Sequence, residues 1–499
     1  MNIKEAKIQI TNTLKAYLEK DELGNYMIPS VRQRPVLLMG PPGVGKTQIM
    51  EQIAAETGVA LVAYTITHHT RQSAIGLPFI EKRVYDGEEQ TVTEYTMSEI
   101  LASVYTSMEK TGIKEGILFL DEINCVSETL APMMLQFLQC KTFGNRKLPE
   151  GWLIVAAGNP PEYNRSVRDF DVVTLDRVRL INVEESFPVW KEYAVKKGLH
   201  GSVISYLDIK KDNFYRIETA ADGMQFATAR AWEDLSEVVT VHEKLGLPVD
   251  LPLVEQYIRI PRIARDYVNY YLLYNKYRRT YHVEDILAGN AGRVIEMQFS
   301  SAAFDEKLSV MGLLVSRLSE EAGRTRKQDA LVSALYDALL EFKARAEAED
   351  PQAVLESLLE SLRSEMRREN DSGRNDREKL KLLKKEENAL QRYLDELEKN
   401  GLHNYDEAVA LIRREFSAET ETRLALADST GAMFDNAFAF LERAAGVGQE
   451  TVLFVTEMTA GYETSWFVQT FGCEAYFRHS SDLMFDDTRR RILDEIKEI

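Results

Sequence analysis

One segment of the chain has the residue types and spacing of a phosphate-binding loop. GPPGVGKT, at residues 40–47, is a complete Walker A motif, whose glycines let backbone N–H groups curl around an anionic phosphate at a helix N-terminus. Lys46 can reach the β- and γ-phosphates, and the Thr47 hydroxyl can ligate Mg²⁺. The residues expected to contact a nucleotide are Gly40, Pro41, Pro42, Gly43, Val44, Gly45, Lys46, Thr47 and Gln48.

A second segment supplies the acidic counterpart of this loop. ILFLDE, at residues 117–122, is an apolar run that ends in Asp121 and Glu122. The run reads as a buried parallel strand, and ligands bind outside the carboxyl ends of the strands in open α/β sheets. The two carboxylates are therefore expected at the edge of the sheet where the phosphates would lie, with Thr47 and Asp121 as the predicted metal ligands.

The neighbouring sequence provides the elements that must position this loop. Residues 36–39 predict a strand before it, and residues 48–56 predict a helix after it that ends at Gly58. The alternative interpretation is a glycine turn between a strand and a helix that binds no ligand. The carboxylate pair on a second predicted strand favours nucleotide binding.

Lys46 and Asp121 are 75 positions apart, which is more than one helix, one strand and short loops need. Part of the surplus lies at residues 76–95. Asp86-Gly87 there marks a turn between two strand-like runs, so the sequence predicts a β-hairpin inserted in the core.

The order of the predicted elements indicates an α/β fold with several helical additions. Strand-like and helical stretches alternate over residues 35–185, which predicts a parallel sheet flanked by helices. The predicted segments are an N-terminal helix at 1–30, an αβα nucleotide-binding core at 31–186, an all-α lid and extension at 187–345, a helical hairpin or coiled coil at 346–402, and a C-terminal helical and α/β unit at 403–499.

The last two segments rest on contrasting patterns. Two leucine stripes at helical spacing predict the hairpin, and they comprise Leu355, Leu358, Leu359 and Leu362, and then Leu383, Leu390, Leu394 and Leu397. In the C-terminal unit, residues 451–456 and 474–478 predict strands on either side of a helix at 463–471. A final helix is expected after the second strand.

Bulk composition limits the classes of partner. The chain has 61 basic and 79 acidic residues and a formal net charge of −18, which argues against general affinity for nucleic acid or anionic lipid. The sequence contains neither an apolar run of membrane-spanning length nor a signal-peptide pattern. Three cysteines form neither a metal motif nor an even disulfide set, so a cytoplasmic location is expected.

The strings GPPGVGKT, ILFLDEIN, AAGNPPEYN, VVTLDRVRL and FATARAWEDLS, in this order, resemble an AAA+ ATPase of the MoxR class. The resemblance covers roughly residues 30–290 and implies an AAA+ P-loop NTPase core that uses ATP and Mg²⁺. It also implies that Asp121 holds Mg²⁺ and that Glu122 orients the attacking water. Asn159, at the end of a predicted strand, resembles sensor 1, although an asparagine that only supports a turn is the alternative.

The resemblance assigns roles to two arginines as well. Arg177, in Leu175-Asp176-Arg177, matches an arginine finger that contacts the γ-phosphate bound by a neighbouring subunit. A surface ion pair between Arg177 and Asp176 is one alternative, and Arg179 as the finger is another. Arg230 matches sensor 2, for which a guanidinium suits phosphate better than an ammonium group does.

These roles imply a ring-forming ATPase, since a finger supplied in trans makes the active site a subunit interface. The family resemblance implies a hexamer, a protein client that is remodelled or activated, a chaperone-like role and a partner with a VWA domain. The alternative is an AAA+ motor acting on nucleic acid, of the restriction or helicase-loader type, which Lys82 and Arg83 on the predicted hairpin would serve. A nucleotide-gated scaffold that hardly hydrolyses ATP is the third hypothesis.

Overall fold

Two units make up the described chain. The computed structural model describes residues 1–66, 76–85, 88–143, 146–163, 170–220, 223–372, 376–446 and 448–480. The first unit contains residues 1–186 together with 360–384, and the second contains residues 187–359 and the described chain from residue 385 onward.

The first unit is built around a parallel sheet. Its strands are β1 (Val36–Met39), β2 (Ala60–Thr65), β3 (Pro78–Tyr85), β4 (Glu88–Tyr95), β5 (Gly116–Asp121), β6 (Thr142–Phe143), β7 (Arg146–Lys147), β8 (Trp152–Gly158) and β9 (Arg179–Asn182). Five of them form one sheet in the order β2-β5-β8-β1-β9, and all neighbouring pairs are parallel. Every residue of β8 is buried, as expected for a central strand that is covered on both faces.

Helices cover the two faces of this sheet. The helices of the first unit up to residue 186 are α1 (Ile3–Leu18), α2 (Lys46–Thr57), α3 (Glu99–Thr111), α4 (Ala131–Cys140) and α5 (Val172–Leu175). Alternate residues of β5 point to opposite faces, so Phe119 shares a buried cluster with Ile53 of α2, and Leu118 shares another with Phe137 of α4. The predicted α/β core is confirmed.

The chain of this core also contains two antiparallel hairpins. Strands β3 and β4 pair antiparallel from Pro78 opposite Tyr95 to Tyr85 opposite Glu88, which confirms the predicted insert. The predicted turn at Asp86-Gly87 lies outside the described residues. The short hairpin of β6 and β7 was not predicted, because strands of two residues show no periodicity.

Helices dominate the chain from residue 187 onward. They are α6 (Phe187–Lys197), α7 (Gly201–Ile209), α8 (Ala229–Leu245), α9 (Leu251–Tyr257), α10 (Pro261–Thr280), α11 (Val283–Leu287), α12 (Arg293–Ser301), α13 (Phe304–Ala346), α14 (Pro351–Asp371), α15 (Arg377–Asn400), α16 (Tyr405–Ala445), α17 (Gln449–Ala460) and α18 (Tyr462–Phe471). One further hairpin, of β10 (Arg216–Ala220) and β11 (Gly223–Ala227), precedes α8 and was not predicted. In the described part of the chain, none of the helices has the length and apolar character needed to cross a membrane.

The predicted C-terminal α/β unit is wrong. Residues 451–456 lie in α17, and residues 474–480 are helical too. The run from Thr451 to Thr456 is rich in β-branched residues, but tertiary packing overrides this preference. The buried side chains of α17 follow helical spacing, and they are Thr451, Phe454, Val455 and Met458. The predicted helix at 463–471 is confirmed as α18, whereas the predicted final helix lies almost entirely outside the described residues.

The predicted helical hairpin corresponds to α14 and α15, and all eight leucines of its two stripes are buried. Its tip, residues 360–384, belongs to the first unit. There the Leu61 N–H, on edge strand β2, donates to the Ser372 carbonyl oxygen at 3.2 Å. The tip therefore satisfies a backbone donor that an edge strand would otherwise present to solvent.

Candidate active site

The phosphate-binding loop connects β1 to α2 at the carboxyl edge of the sheet. Gly45 immediately precedes α2 with φ 93°, a left-handed conformation that glycine adopts without strain. Gly40 lies against β9, and a Cβ atom there would be 2.7 Å from the Val183 carbonyl oxygen. Glycine is thus required at the two ends of the loop for different reasons, a left-handed backbone at Gly45 and a close approach of the backbone at Gly40.

The Lys46 side chain is buried inside this loop, with 8% of its surface exposed. Its Nζ atom donates to the carbonyl oxygens of Gly40, at 2.7 Å, and Pro41, at 2.9 Å. It also donates to the Oδ1 atom of Asn159 at 2.8 Å. The structure therefore brings together the Walker A lysine and the residue that resembles sensor 1, which are 113 positions apart in the chain.

The two predicted metal ligands also meet. The Thr47 hydroxyl donates to the Oδ2 atom of Asp121 at 3.0 Å. Hydroxyl and carboxylate oxygens are the ligands that Mg²⁺ takes beside the phosphates of a nucleotide. The donor set at the end of β5 and the start of α2 therefore fits this ion.

Glu122 turns the chain sharply at the end of β5. Its φ is 58°, a left-handed conformation that costs a residue other than glycine about 1 kcal/mol or more. Two hydrogen bonds hold the turn: the Glu122 N–H donates to Asp121 Oδ1 at 2.9 Å, and the Ile123 N–H donates to the Ala157 carbonyl oxygen at 2.9 Å. The second carboxylate thus follows the first on a constrained backbone.

Asn124, for which the sequence predicts no role, forms part of this site. Its side chain is buried, with 3% exposed, and its Nδ2 atom donates to the Asn159 carbonyl oxygen at 2.8 Å. The Asn159 N–H donates back to the Oδ1 atom of Asn124 at 3.3 Å. A buried polar side chain needs hydrogen-bond partners. A polar residue in the largely apolar sequence after the carboxylates was therefore the one feature of the sequence that could have indicated a role for Asn124.

The two candidate finger arginines have different surroundings. Arg177 is exposed, follows α5 and donates from Nη1 to the Oε1 atom of Gln139. Arg179 begins β9 and donates from Nη1 to the Thr13 hydroxyl of α1 in the same chain. The surroundings favour Arg177 over Arg179 for contact with a neighbouring subunit, and the assignment stays a prediction.

Asp171 sets the position of the segment that carries Arg177. Its carboxylate caps α5, where Oδ1 accepts the Thr174 N–H at 2.7 Å. Hydrogen bonds from the Thr174 side chain and backbone lower the pKa of Asp171, and the charge of Arg177 adds to the effect. The ionised carboxylate thus caps the short helix through the Thr174 N–H.

Arg230 is exposed in the first turn of α8. The Thr228 hydroxyl caps this helix by accepting the Ala231 N–H at 3.3 Å. Arg230 belongs to the second unit, and its predicted role as sensor 2 stays a prediction.

Comparison with known proteins gives one family. The family model described as AAA domain (dynein-related subfamily) matches residues 35–178. This range includes the phosphate-binding loop, both carboxylates, Asn159 and Arg177. Among curated proteins, none matches the chain.

Proposed function

We propose that this chain, whose residues 35–178 form an AAA domain of the dynein-related subfamily, is a Mg²⁺-dependent ATPase that assembles into a ring and remodels or activates a protein client. The convergence of Lys46, Asn159, Thr47 and Asp121 at one edge of the sheet carries the proposal. Bound Mg²⁺ would neutralise charge that develops on the phosphates. Thr47 and Asp121 would hold it.

The remaining residues supply binding and positioning. The Lys46 ammonium group would place its charge against the β- and γ-phosphates. Glu122 and Asn159 would orient the attacking water, because phosphoryl transfer depends mostly on positioning and electrostatic stabilisation. Arg230 would add a second guanidinium contact to the phosphates.

Assembly follows from the proposed use of Arg177 in trans. Val172 and Val173, on the short helix before it, are 81% and 58% exposed. Apolar side chains beside an exposed arginine suit the core of a subunit interface. We therefore propose that this segment faces the nucleotide site of the next subunit, in a hexameric ring.

The β3–β4 hairpin supports a protein client. Ile80 and Val84 are 76% and 70% exposed on one face of the ribbon, where Tyr95 is also partly exposed. A two-stranded ribbon cannot bury such a face by itself, so these side chains are available to another polypeptide. The MoxR class, a VWA-domain partner, a chaperone-like role and a cytoplasmic location are proposals that rest on the sequence resemblance.

The same hairpin weakens the nucleic-acid alternative. Lys82 pairs with Glu89 at 2.6 Å, and Arg83 pairs with Glu81 and Glu94 at 2.9 and 3.0 Å. Nucleic-acid binding draws its affinity from cations that neutralise phosphates. Here carboxylates of the hairpin already neutralise both cations.

The proposal is tested by ATP turnover of the full chain, measured with and without Mg²⁺ and with an unfolded protein, single-stranded DNA or neither. Mg²⁺-dependent turnover that the protein stimulates is expected. Lys46→Ala should lose nucleotide affinity, whereas Lys110→Ala, an exposed lysine on α3, should match the unmodified chain.

Each contrary result has its own meaning. Absence of turnover at concentrations where the chain assembles would refute the ATPase. Stimulation by DNA alone would favour the nucleic-acid motor. Unchanged nucleotide affinity in Lys46→Ala would remove the loop from the mechanism.

A further inference from the structure

The carboxamide of Asn124 continues the pairing of β5 and β8 beyond the ends of both strands. Its Nδ2 atom donates to the Asn159 carbonyl oxygen at 2.8 Å, and its Oδ1 atom accepts the Asn159 N–H at 3.3 Å. One side chain therefore satisfies both backbone groups of Asn159, as a neighbouring strand would. A Cβ atom at Gly158 would lie 2.6 Å from Asn124 Oδ1, so glycine there permits this close approach.

These contacts fix Asn159 relative to the turn that carries Glu122. The Glu122 turn has its own hydrogen bonds, to Asp121 Oδ1 and to the Ala157 carbonyl oxygen, which do not involve Asn124. Loss of the Asn124 carboxamide would therefore release Asn159 and leave Glu122 in place. The Asn159 side chain, which accepts from Lys46 at 2.8 Å, would then lose its fixed backbone.

We propose that Asn124 is a positioning residue for ATP hydrolysis and that it acts through Asn159. The inference rests on the proposed ATPase function. Glu122 and Asn159, which follow different strands, are assigned to one water molecule. Misplacement of either group by a fraction of an ångström is enough to slow the reaction. Asn124 holds Asn159 at a fixed position relative to Glu122.

An isosteric substitution separates this role from simple packing. In Asn124→Asp the volume is unchanged and Oδ1 still accepts the Asn159 N–H. The other oxygen, however, replaces a donor, and in the ionised carboxylate it faces the Asn159 carbonyl oxygen, so attraction becomes repulsion. We expect kcat to fall about tenfold or more while ATP affinity stays within about twofold.

A double-mutant cycle in kcat tests whether Asn124 acts through Asn159. Asn159→Ala should reduce kcat by about 10²-fold, as removal of a positioned polar group does in other enzymes. Adding Asn124→Asp to Asn159→Ala should then cost less than about threefold, because the group that Asn124 positions is gone. If the reductions in kcat caused by the two single substitutions multiply in the double variant, the inference is overturned.

Asn436→Asp provides a matched control. Asn436 Nδ2 donates to the Leu287 carbonyl oxygen at 2.8 Å in the second unit, so the substitution removes the same kind of hydrogen bond. It should leave kcat unchanged, alone and with Asn159→Ala. A fall in kcat equal to that of Asn124→Asp would mean that the effect of either substitution reflects general destabilisation.

Hydrogen exchange gives a readout that does not require turnover. Faster exchange at the Asn159 amide in Asn124→Ala, with unchanged exchange in α3, is expected. Unchanged exchange at that amide would contradict the proposal that Asn124 holds the Asn159 backbone. Absence of turnover in the unmodified chain would refute the ATPase and this role together, whereas turnover with multiplying effects would refute only the role of Asn124.

Discussion

The adjacent carboxylates have different backbone surroundings, and this difference supports the separate roles proposed for them. Asp121 ends a buried strand, and its oxygen atoms accept from the Thr47 hydroxyl and the Glu122 N–H. Glu122 follows in a left-handed conformation, after which the chain leaves the strand. Asp121 is therefore suited to a metal ion beside the loop, and Glu122 is suited to the water beyond it.

At this scale we predict that Glu122→Gln keeps ATP affinity and stalls hydrolysis. The amide retains the size of the side chain but cannot accept a proton, and loss of a general base typically slows a reaction by about 10²–10⁴-fold. Binding of a fluorescent ATP analogue and steady-state turnover check the two halves of the prediction. Glu109→Gln, an exposed acid on α3, is the control. Unimpaired turnover in Glu122→Gln would remove this carboxylate from the mechanism.

Site residues in local motifs could be predicted from the sequence, whereas a site residue whose partner is distant in the chain could not. Lys46 and Asp121 stand in local motifs whose flanking strand and helix are also local, and both were predicted. Asn124 was missed because its function depends on a backbone 35 positions away. Sequence patterns report composition and period, and they do not report which backbone a side chain reaches.

At the scale of elements, continuous apolar runs identified the core strands, whereas several strands without such a run were missed. Strands β1, β2, β5 and β8 are continuous apolar runs, and the structure contains each of them. Strands β6 and β7 have two residues each, too few for a period. Residues 451–456 were assigned to a strand on residue type, but their burial follows the period of a helix.

The connection between α4 and β6 contains a buried charge. Lys141 has φ 54° and is 7% exposed, and its Nζ atom donates to the Oε1 atom of Gln33 at a long 3.5 Å. Burial lowers the pKa of Lys141 from 10.5 to about 8. The folded chain therefore holds this proton less tightly than the unfolded chain does.

The sign of the resulting pH dependence follows from linkage. Between pH 8 and about 10.4 the unfolded chain binds more protons at this site, so the contribution of Lys141 to stability becomes less unfavourable as pH rises. Below pH 8 the cost of burying the charge is fully present, and it is on the order of 3 kcal/mol.

We predict that Lys141→Met raises the unfolding midpoint at pH 7 and gains less than the unmodified chain when the pH rises to 9.5. Methionine keeps the unbranched shape and removes the charge. Thermal unfolding at both pH values measures the effect, with Lys110→Met as the exposed control. If stability changes with pH in the same way in Lys141→Met and in the unmodified chain, Lys141 is not the group that causes the predicted pH dependence of stability.

At the scale of the whole molecule, the net acidity and the exposed Arg177 support the proposed contacts with protein. The net charge is −18, and the cations of the β3–β4 hairpin are paired within it. Arg177, by contrast, is exposed, and its hydrogen bond goes to the neutral Gln139 side chain, while its charge also acts on the Asp171 carboxylate. A neutral hydrogen-bond partner is exchanged at little cost, which supports the proposal that this guanidinium contacts a phosphate of another subunit.

The last prediction concerns this exchange. Arg177→Ala should lose about 10³-fold or more in turnover, and Lys46→Ala should be inactive. Mixed rings should recover activity, because a Lys46→Ala subunit still donates Arg177 to the intact loop of an Arg177→Ala neighbour. Random mixing at equal amounts creates this pairing at about a quarter of the interfaces, which sets the recoverable rate.

Arg179→Ala distinguishes the two candidate fingers. Its guanidinium bonds to Thr13 of α1, so we expect Arg179→Ala to lower the unfolding midpoint and to keep most of its turnover. Recovery in mixtures of Lys46→Ala with Arg179→Ala, and not with Arg177→Ala, would transfer the role to Arg179. If neither mixture recovers although an affinity tag on one variant co-purifies the other in rings of normal mass, the active site is completed within one subunit.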